Sequence, residues 1–157
     1  VSTIFLDSSA IVKYYYTEDG SAWVRRIIND ETNVCLASVI AVAEIAAAFA
    51  QIQRHTPLGK KRMNEMYLRF RGDLREGLFL ARALDEDVLN LAADLALRRT
   101  LKGYDAVQVA SAVLVRETLT DPDLIFISGD QQMLRAARAE GFVTEDPEAH
   151  TDEDPSE

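Results

Sequence analysis

The sequence predicts an α/β fold with a mainly parallel central sheet, and three observations carry that prediction. Short apolar runs alternate with longer segments of helical periodicity along the whole chain. Two of the clearest runs, Thr3-Ile4-Phe5-Leu6 and Leu124-Ile125-Phe126-Ile127, lead into an aspartate, Asp7 directly and Asp130 after Ser128-Gly129. The length, 157 residues, fits one domain that buries roughly two thirds of its unfolded surface in a single core.

Taken in order, the first strand stops at Asp7, and Ser8-Ser9 open a short helix over Ala10 to Tyr16. Asp19-Gly20-Ser21 breaks the chain before a helix over Ala22 to Ile28, whose inward face carries Trp23, Val24 and Ile27. Asn33 to Ala37 reads as a strand buried on both faces. Ser38 is the expected cap of an Ala-rich helix reaching about Arg54. After Thr56-Pro57-Leu58-Gly59, residues Lys60 to Glu76 place Met63, Met66, Tyr67, Phe70 and Leu74 at helical spacing. These two helices should form an antiparallel hairpin. Leu78 to Leu84 is a third strand, weakened by Arg82, and Asp85 to Arg99 is a helix with Val88, Leu91, Ala92 and Leu95 on one face. A buried helix follows over Asp105 to Thr118, then the strand Leu124 to Ile127, a helix over Gln131 to Glu140 that stops at Gly141, and an edge strand at Phe142-Val143.

Composition narrows the setting. No run approaches the ~20 apolar residues of a membrane span, since Ser38, Glu44 and Gln51 interrupt the most apolar stretch. No basic segment precedes an apolar one at the start, so the expectation is a cytoplasmic protein without a membrane anchor. The lone Cys35 can form neither an internal disulfide nor a thiolate zinc site and reads as a core residue. His55, at a helix end, and His150, near the C-terminus, are expected at the surface. The net charge of −9 is concentrated in residues 145–157, which hold seven acids and no Lys or Arg. The rest of the chain is nearly neutral, and 148–157 is expected to be an acidic, disordered tail.

Open α/β sheets keep their ligand sites at the carboxyl ends of strands, which is where Asp7 stands. Glu44, Asp105 and Asp130 sit on elements able to reach the same edge. Each has a plainer reading: Asp7, Asp105 and Asp130 as helix caps, Glu44 as a charge on a solvated face. Glu44 fits its plain reading least, because Val39, Ile40, Val42, Ala43, Ile45, Ala46, Ala47 and Ala48 surround it, and a buried carboxylate is costly without compensation. Converging carboxylates repel one another, and a divalent cation relieves that repulsion. Oxygen ligands without His or Cys favour Mg²⁺ or Mn²⁺ over zinc. Such an ion orients and deprotonates water and offsets charge on a phosphoryl group, which suits phosphodiester hydrolysis.

Phe5-Leu6-Asp7-Ser8-Ser9-Ala10, Ser38 with Glu44 in its Ala-rich helix, Tyr104-Asp105-Ala106-Val107-Gln108-Val109-Ala110, and Ile127-Ser128-Gly129-Asp130-Gln131-Gln132-Met133-Leu134 together resemble PIN-domain ribonucleases of the VapC toxin type. The likeness runs to about Pro147, giving a PIN-like domain over 1–147. It implies a three-layer α/β/α fold and a Mg²⁺/Mn²⁺ pocket made by Asp7, Glu44, Asp105 and Asp130, with Ser9 or Ser128 lending a hydroxyl. It further implies cleavage of single-stranded RNA, a homodimer, and a small VapB-like antitoxin that occludes the pocket. The tail from about Glu148 departs from the family pattern.

The region from Arg54 to Arg82 is the basic part of the chain, and Lys60, Lys61, Arg62 and Arg69 are its candidate RNA contacts, against the alternative of a solvated helix face with ion pairs. The Met63-to-Leu74 stripe reads as core or as a groove for an antitoxin helix. Two phosphotransfer patterns fit worse: one wants a second acid at the position of Ser9, the other an adjacent acid pair and a lysine after the last strand. A nuclease of RNA maturation, or a PIN-like protein that binds metal or a partner without cutting, remain the alternatives to a toxin.

Overall fold

The most buried strand is also the most central. In the computed structural model, which describes residues 2–153, Thr3–Leu6 (β1) lies in the middle of a five-stranded, all-parallel sheet. Its neighbours are Val34–Ser38 (β2) on one side and Ile125–Ile127 (β4) on the other; Leu80–Arg82 (β3) and Val143–Glu145 (β5) form the edges. The order β3-β2-β1-β4-β5 reverses direction between β1 and β4, the switch point at which such sheets bind ligands. The register pairs Leu6 with Ile127, so the residues after them, Asp7 and Ser128, emerge side by side.

Alternation along the strands divides the core in two. Phe5, Leu36 and Phe126 face one side, where Glu86–Arg99 (α5), Gly103–Leu119 (α6) and Gln131–Ala139 (α7) cover them; Phe5 and Phe126 stack with ring centroids 5.7 Å apart. Ile4, Leu6, Cys35 and Ile127 face the other, under Ser8–Tyr15 (α1), Ser21–Asn29 (α2), Ala41–His55 (α3) and Lys60–Glu76 (α4). The result is the expected three-layer α/β/α arrangement.

Most of the periodic stripes pack as read. Val88, Ala92 and Leu95 are buried on α5, and Trp23 and Val24 on α2, where Ile28 is buried in place of the expected Ile27, which is only partly covered. On α4, Met66 and Phe70 belong to the core: Phe70 meets Tyr15 and Phe79, and the Tyr67 hydroxyl donates to the Val42 carbonyl of α3 at 3.2 Å. That stripe is therefore internal packing within one chain. Helix α4 ends on Gly77, whose φ of 86° is the left-handed conformation that glycine adopts without strain.

Several details differ from expectation. The third strand is short, because Phe79 turns into the core while Leu80 and Ala81 stand exposed at the sheet edge. Ser38 ends β2 and does not cap α3. Its Oγ accepts from the Ile40 N–H at 3.3 Å and from the Ser111 hydroxyl at 3.1 Å, and the helix begins at Ala41 without a side-chain cap. His150 is half-buried: its ring lies flat on Trp23, centroids 4.2 Å apart, and Nε2 is 3.1 Å from Glu145. It belongs to a 3-10 segment, Pro147–Glu153, that packs against α2. Gly20 permits that approach, since a Cβ there would run into the Pro147 carbonyl. The start of the expected tail is thus folded, and 154–157 lie outside the described residues.

Candidate active site

Asp7 is the floor of the site. It caps α1, accepting the Ala10 N–H on Oδ1 at 3.0 Å, as its plain reading as a helix cap expects. Two hydroxyls hold the same carboxylate: Ser9 donates to Oδ1 at 2.7 Å and Ser128 to Oδ2 at 2.5 Å. The serines are fixed in turn, Ser9 Oγ accepting from the Gly129 N–H at 2.9 Å and Ser128 Oγ from the Asp130 N–H at 3.0 Å. Burial pushes the Asp7 carboxyl up to about 6 despite these three hydrogen bonds, and the charge of Asp130 adds to the rise.

Glu44 enters from the first turn of α3. It is half-buried, not enclosed, because Ala43 and Ala47 face solvent beside it. Its Oε1 accepts from Gln108 Nε2 at 2.7 Å and from the Ser8 hydroxyl at 3.1 Å. Burial raises its pKa, these two donors oppose the rise, and the charges of Asp7 and Asp105 add to it. Asp105 lies in the first turn of α6, where Lys102 is the cap, so it is not an N-cap. It too is raised, by burial first and then by Asp130, with Lys102 opposing. Asp130 is the exposed rim and caps α7, accepting the N–H groups of Gln132 and Met133 at 2.7 and 3.3 Å.

The four acids therefore form one electrostatic circuit: Asp130 acts on Asp7 and Asp105, and both of these act on Glu44. Burial and the mutual repulsion of the acids raise Asp7, Glu44 and Asp105 despite their hydrogen-bond donors and Lys102, the pattern of a site short of positive charge. Among the described residues, no three acids, histidines or cysteines form a ready-made cage for a metal ion. The donor chemistry nevertheless suits a hard cation that keeps part of its water shell and takes only one or two carboxylates directly. A buried acceptor is also left over at this edge, since Gln108 Oε1 has no partner.

Sequence reasoning passed over Ser8 and Gln108, the two residues that hold Glu44. Gln108 is 1% exposed in the otherwise apolar run Ala106 to Ala110. A polar side chain on such a face must have a buried partner, and that was the available signal. Lys13 was missed likewise, a lysine only 4% exposed within the apolar stretch of α1.

The basic candidates lie elsewhere. Lys60 and Lys61 are exposed at the start of α4, while Arg62 and Arg69 line a pocket of about 250 Å³ with Tyr14, Tyr15, Thr17, Arg25 and Asn29. That pocket is at the end of α1 opposite to the one Asp7 caps. Arg62 is 3.7 Å from Glu65 and Arg69 3.9 Å from Asp73, the ion pairs of the plainer reading. A cavity of about 450 Å³ lies at the β3 edge between Leu36, Leu80, Arg82, Val115 and Leu119, and none of the four acids lines it. Among the described residues no helix is long and apolar enough to cross a membrane.

Comparison with known proteins bears on the fold and the family. Ribonucleases VapC45 and VapC49 of Mycobacterium tuberculosis are each 29% identical over 140 residues, spanning 88% of this chain and 91% of theirs. Among solved structures, FitAcB from Neisseria gonorrhoeae superposes with a TM-score of 0.60 at 21% identity, covering 92% of this chain and 97% of that one. PAE2754 from Pyrobaculum aerophilum gives 0.57 at 17% identity, covering 91% and 89%. The family model for the PIN domain matches residues 4–139, the span that contains both sheet faces and all four acids, and the chain belongs to the PIN-domain family.

Proposed function

We propose that this protein is a Mg²⁺- or Mn²⁺-dependent endoribonuclease that hydrolyses phosphodiester bonds of single-stranded RNA, and that it serves as the toxin of a toxin–antitoxin pair. The observation that carries the reading is the electrostatic circuit of Asp7, Glu44, Asp105 and Asp130 at the switch point of the sheet. Similarity to the two VapC ribonucleases supports the substrate class; a VapB-like antitoxin and a homodimer belong to the same proposal.

A divalent ion held at this edge would supply the positive charge that makes a water more acidic and offsets charge on the phosphoryl oxygens. Asp7 and Glu44 would hold it, with Asp105 and Asp130 completing the set from the rim. The chain's own contribution is orientation. Ser9 and Ser128 hold both oxygens of Asp7, and Gln108 and Ser8 both hold Glu44 Oε1, leaving Oε2 for the ion or its water. Preorganised acids need not reorganise as charge develops.

Incubation of the purified protein with a mixed-sequence single-stranded RNA tests this directly. Cleavage is expected with Mg²⁺ or Mn²⁺, and is expected to be lost with chelator and in Asp105→Asn. Cleavage that survives in Asp105→Asn would remove the acids from the chemistry. The toxin role predicts growth arrest on expression, relieved by co-expressing a small protein encoded beside it; growth unaffected by an active nuclease would favour RNA maturation.

A further inference from the structure

Lys13 stands one helical turn from Ser9 on the same face of α1, so it borders the acid site without belonging to it. Its ammonium has three donors and three acceptors: Glu18 Oε1 at 3.2 Å, the Asp19 carbonyl at 3.0 Å and Glu148 Oε1 at 3.2 Å. Glu18 and Asp19 come from the loop just after α1 and suffice to neutralise the charge. Glu148 comes from the C-terminal 3-10 segment and is a second carboxylate on one cation. Together, Ser9, Val12, Lys13, Glu18, Ala48, Gly129 and Glu148 line a pocket of about 250 Å³. Its wall is shared with the acid site, because Ser9 Oγ bonds Asp7 on one side and the Gly129 N–H on the other. Gly129 keeps the wall thin: a Cβ there would stand 3.4 Å from Lys13 Cε and 3.5 Å from Ser9 Oγ.

We infer that this pocket is a subsite for an RNA phosphate flanking the scissile one, with Lys13 as its cation and the Glu148 carboxylate as an internal occupant that substrate must displace. This rests on the nuclease reading. A phosphodiester oxygen has the charge and acceptor chemistry of the carboxylate it replaces. Glu148 is placed to leave, its side chain being 55% exposed against 5% for Lys13. Exchange swaps one anion for another and retains the local Glu18 pair that keeps Lys13 buried.

The test is binding of a labelled mixed-sequence single-stranded RNA, followed by fluorescence anisotropy in the presence of Mg²⁺, to the Asp105→Asn protein with and without Glu148→Gln, Lys13→Met or both. Glu148→Gln should tighten binding about fivefold, Lys13→Met should weaken it by a similar factor, and the charge removal at 148 should have no effect once Lys13 is gone. Glu148→Gln is a substitution at an exposed side chain, so it reads the subsite even if Lys13→Met fails to fold. Binding unchanged by Glu148→Gln, the same gain with and without Lys13, or no binding at all would each overturn the subsite. The parent protein is assayed for cleavage in parallel. Its failure to cut with the binding pattern intact would count against the nuclease reading alone.

Discussion

Gln108 Nε2 donates to Glu44 Oε1 at 2.7 Å, so a residue buried in α6 sets the position of a carboxylate on α3. With the Gln108 bond to the Ser8 hydroxyl at 2.8 Å, the contact ties α6 on one face of the sheet to α3 and α1 on the other. Replacing Gln108 by Leu should leave the fold intact and lower kcat about tenfold, a hydrogen bond to a charged group contributing roughly 1.5–3 kcal/mol. It also removes a donor that favours ionised Glu44, so the rising limb of the pH–rate profile should move to higher pH. A profile that keeps its position would assign Gln108 a packing role only.

Asp7 links the same site to stability. Its carboxyl is raised to about 6 in the folded chain, against 3.8 as the ordinary value, so the native state holds this proton more tightly than the unfolded state does. Stability of the metal-free protein should therefore fall as pH rises from about 4 to about 6, by on the order of 3 kcal/mol from this group. Asp7→Asn should flatten that fall and raise the melting temperature at pH 7 without metal, while abolishing cleavage. Added Mg²⁺ should recover stability in the parent protein and not in the variant. Thermal melts across this pH range, with and without Mg²⁺, give the comparison.

How much of this could be read from residues alone follows from what sets each feature. The strands and the inward stripes of α2, α5 and α4 were legible because burial imposes periodicity on apolar side chains. Asp7 was legible because a carboxylate at the end of an apolar strand has few uses. The partners of the acids were not, since Gln108 is 64 residues from Glu44 and Ser128 is 121 from Asp7; the β1–β4 register joins the second pair and the packing of α6 and α3 at the sheet edge the first. Ser38 misled because a serine after a strand normally caps the next helix, whereas here two further residues intervene before α3. The folding of the segment after Asp146 was hidden for a similar reason. Its acidic composition reads as solvated chain, while the ring of His150 on Trp23 and the pairing of Glu148 with Lys13 are long-range contacts.

Thr120 closes α6 with a φ of 50°, a conformation unfavourable for a β-branched residue. The residue is exposed, so Thr120→Gly gives up little packing. Relief of the left-handed conformation should stabilise the protein by about 1 kcal/mol after the entropy cost of glycine. Urea denaturation checks this, and a lower midpoint would contradict it.

Cys35 should behave as a core group. It is 5% exposed in β2 and burial pushes its thiol up to about 11. A chromogenic disulfide reagent should leave the native protein unmodified and titrate one thiol per chain in denaturant. Fast labelling of the native protein would show that β2 opens locally.

On the proposed reading, four acids from four elements act as one cation site. Calorimetric titration of Mn²⁺ into the protein, and into Asp7→Asn, Glu44→Gln, Asp105→Asn and Asp130→Asn, tests it most directly. The parent protein is expected to bind, Asp7→Asn and Glu44→Gln to lose most of the affinity, and the two rim variants to weaken it. Binding that is absent from the parent protein, or unchanged by Asp7→Asn and Glu44→Gln, would contradict the claim.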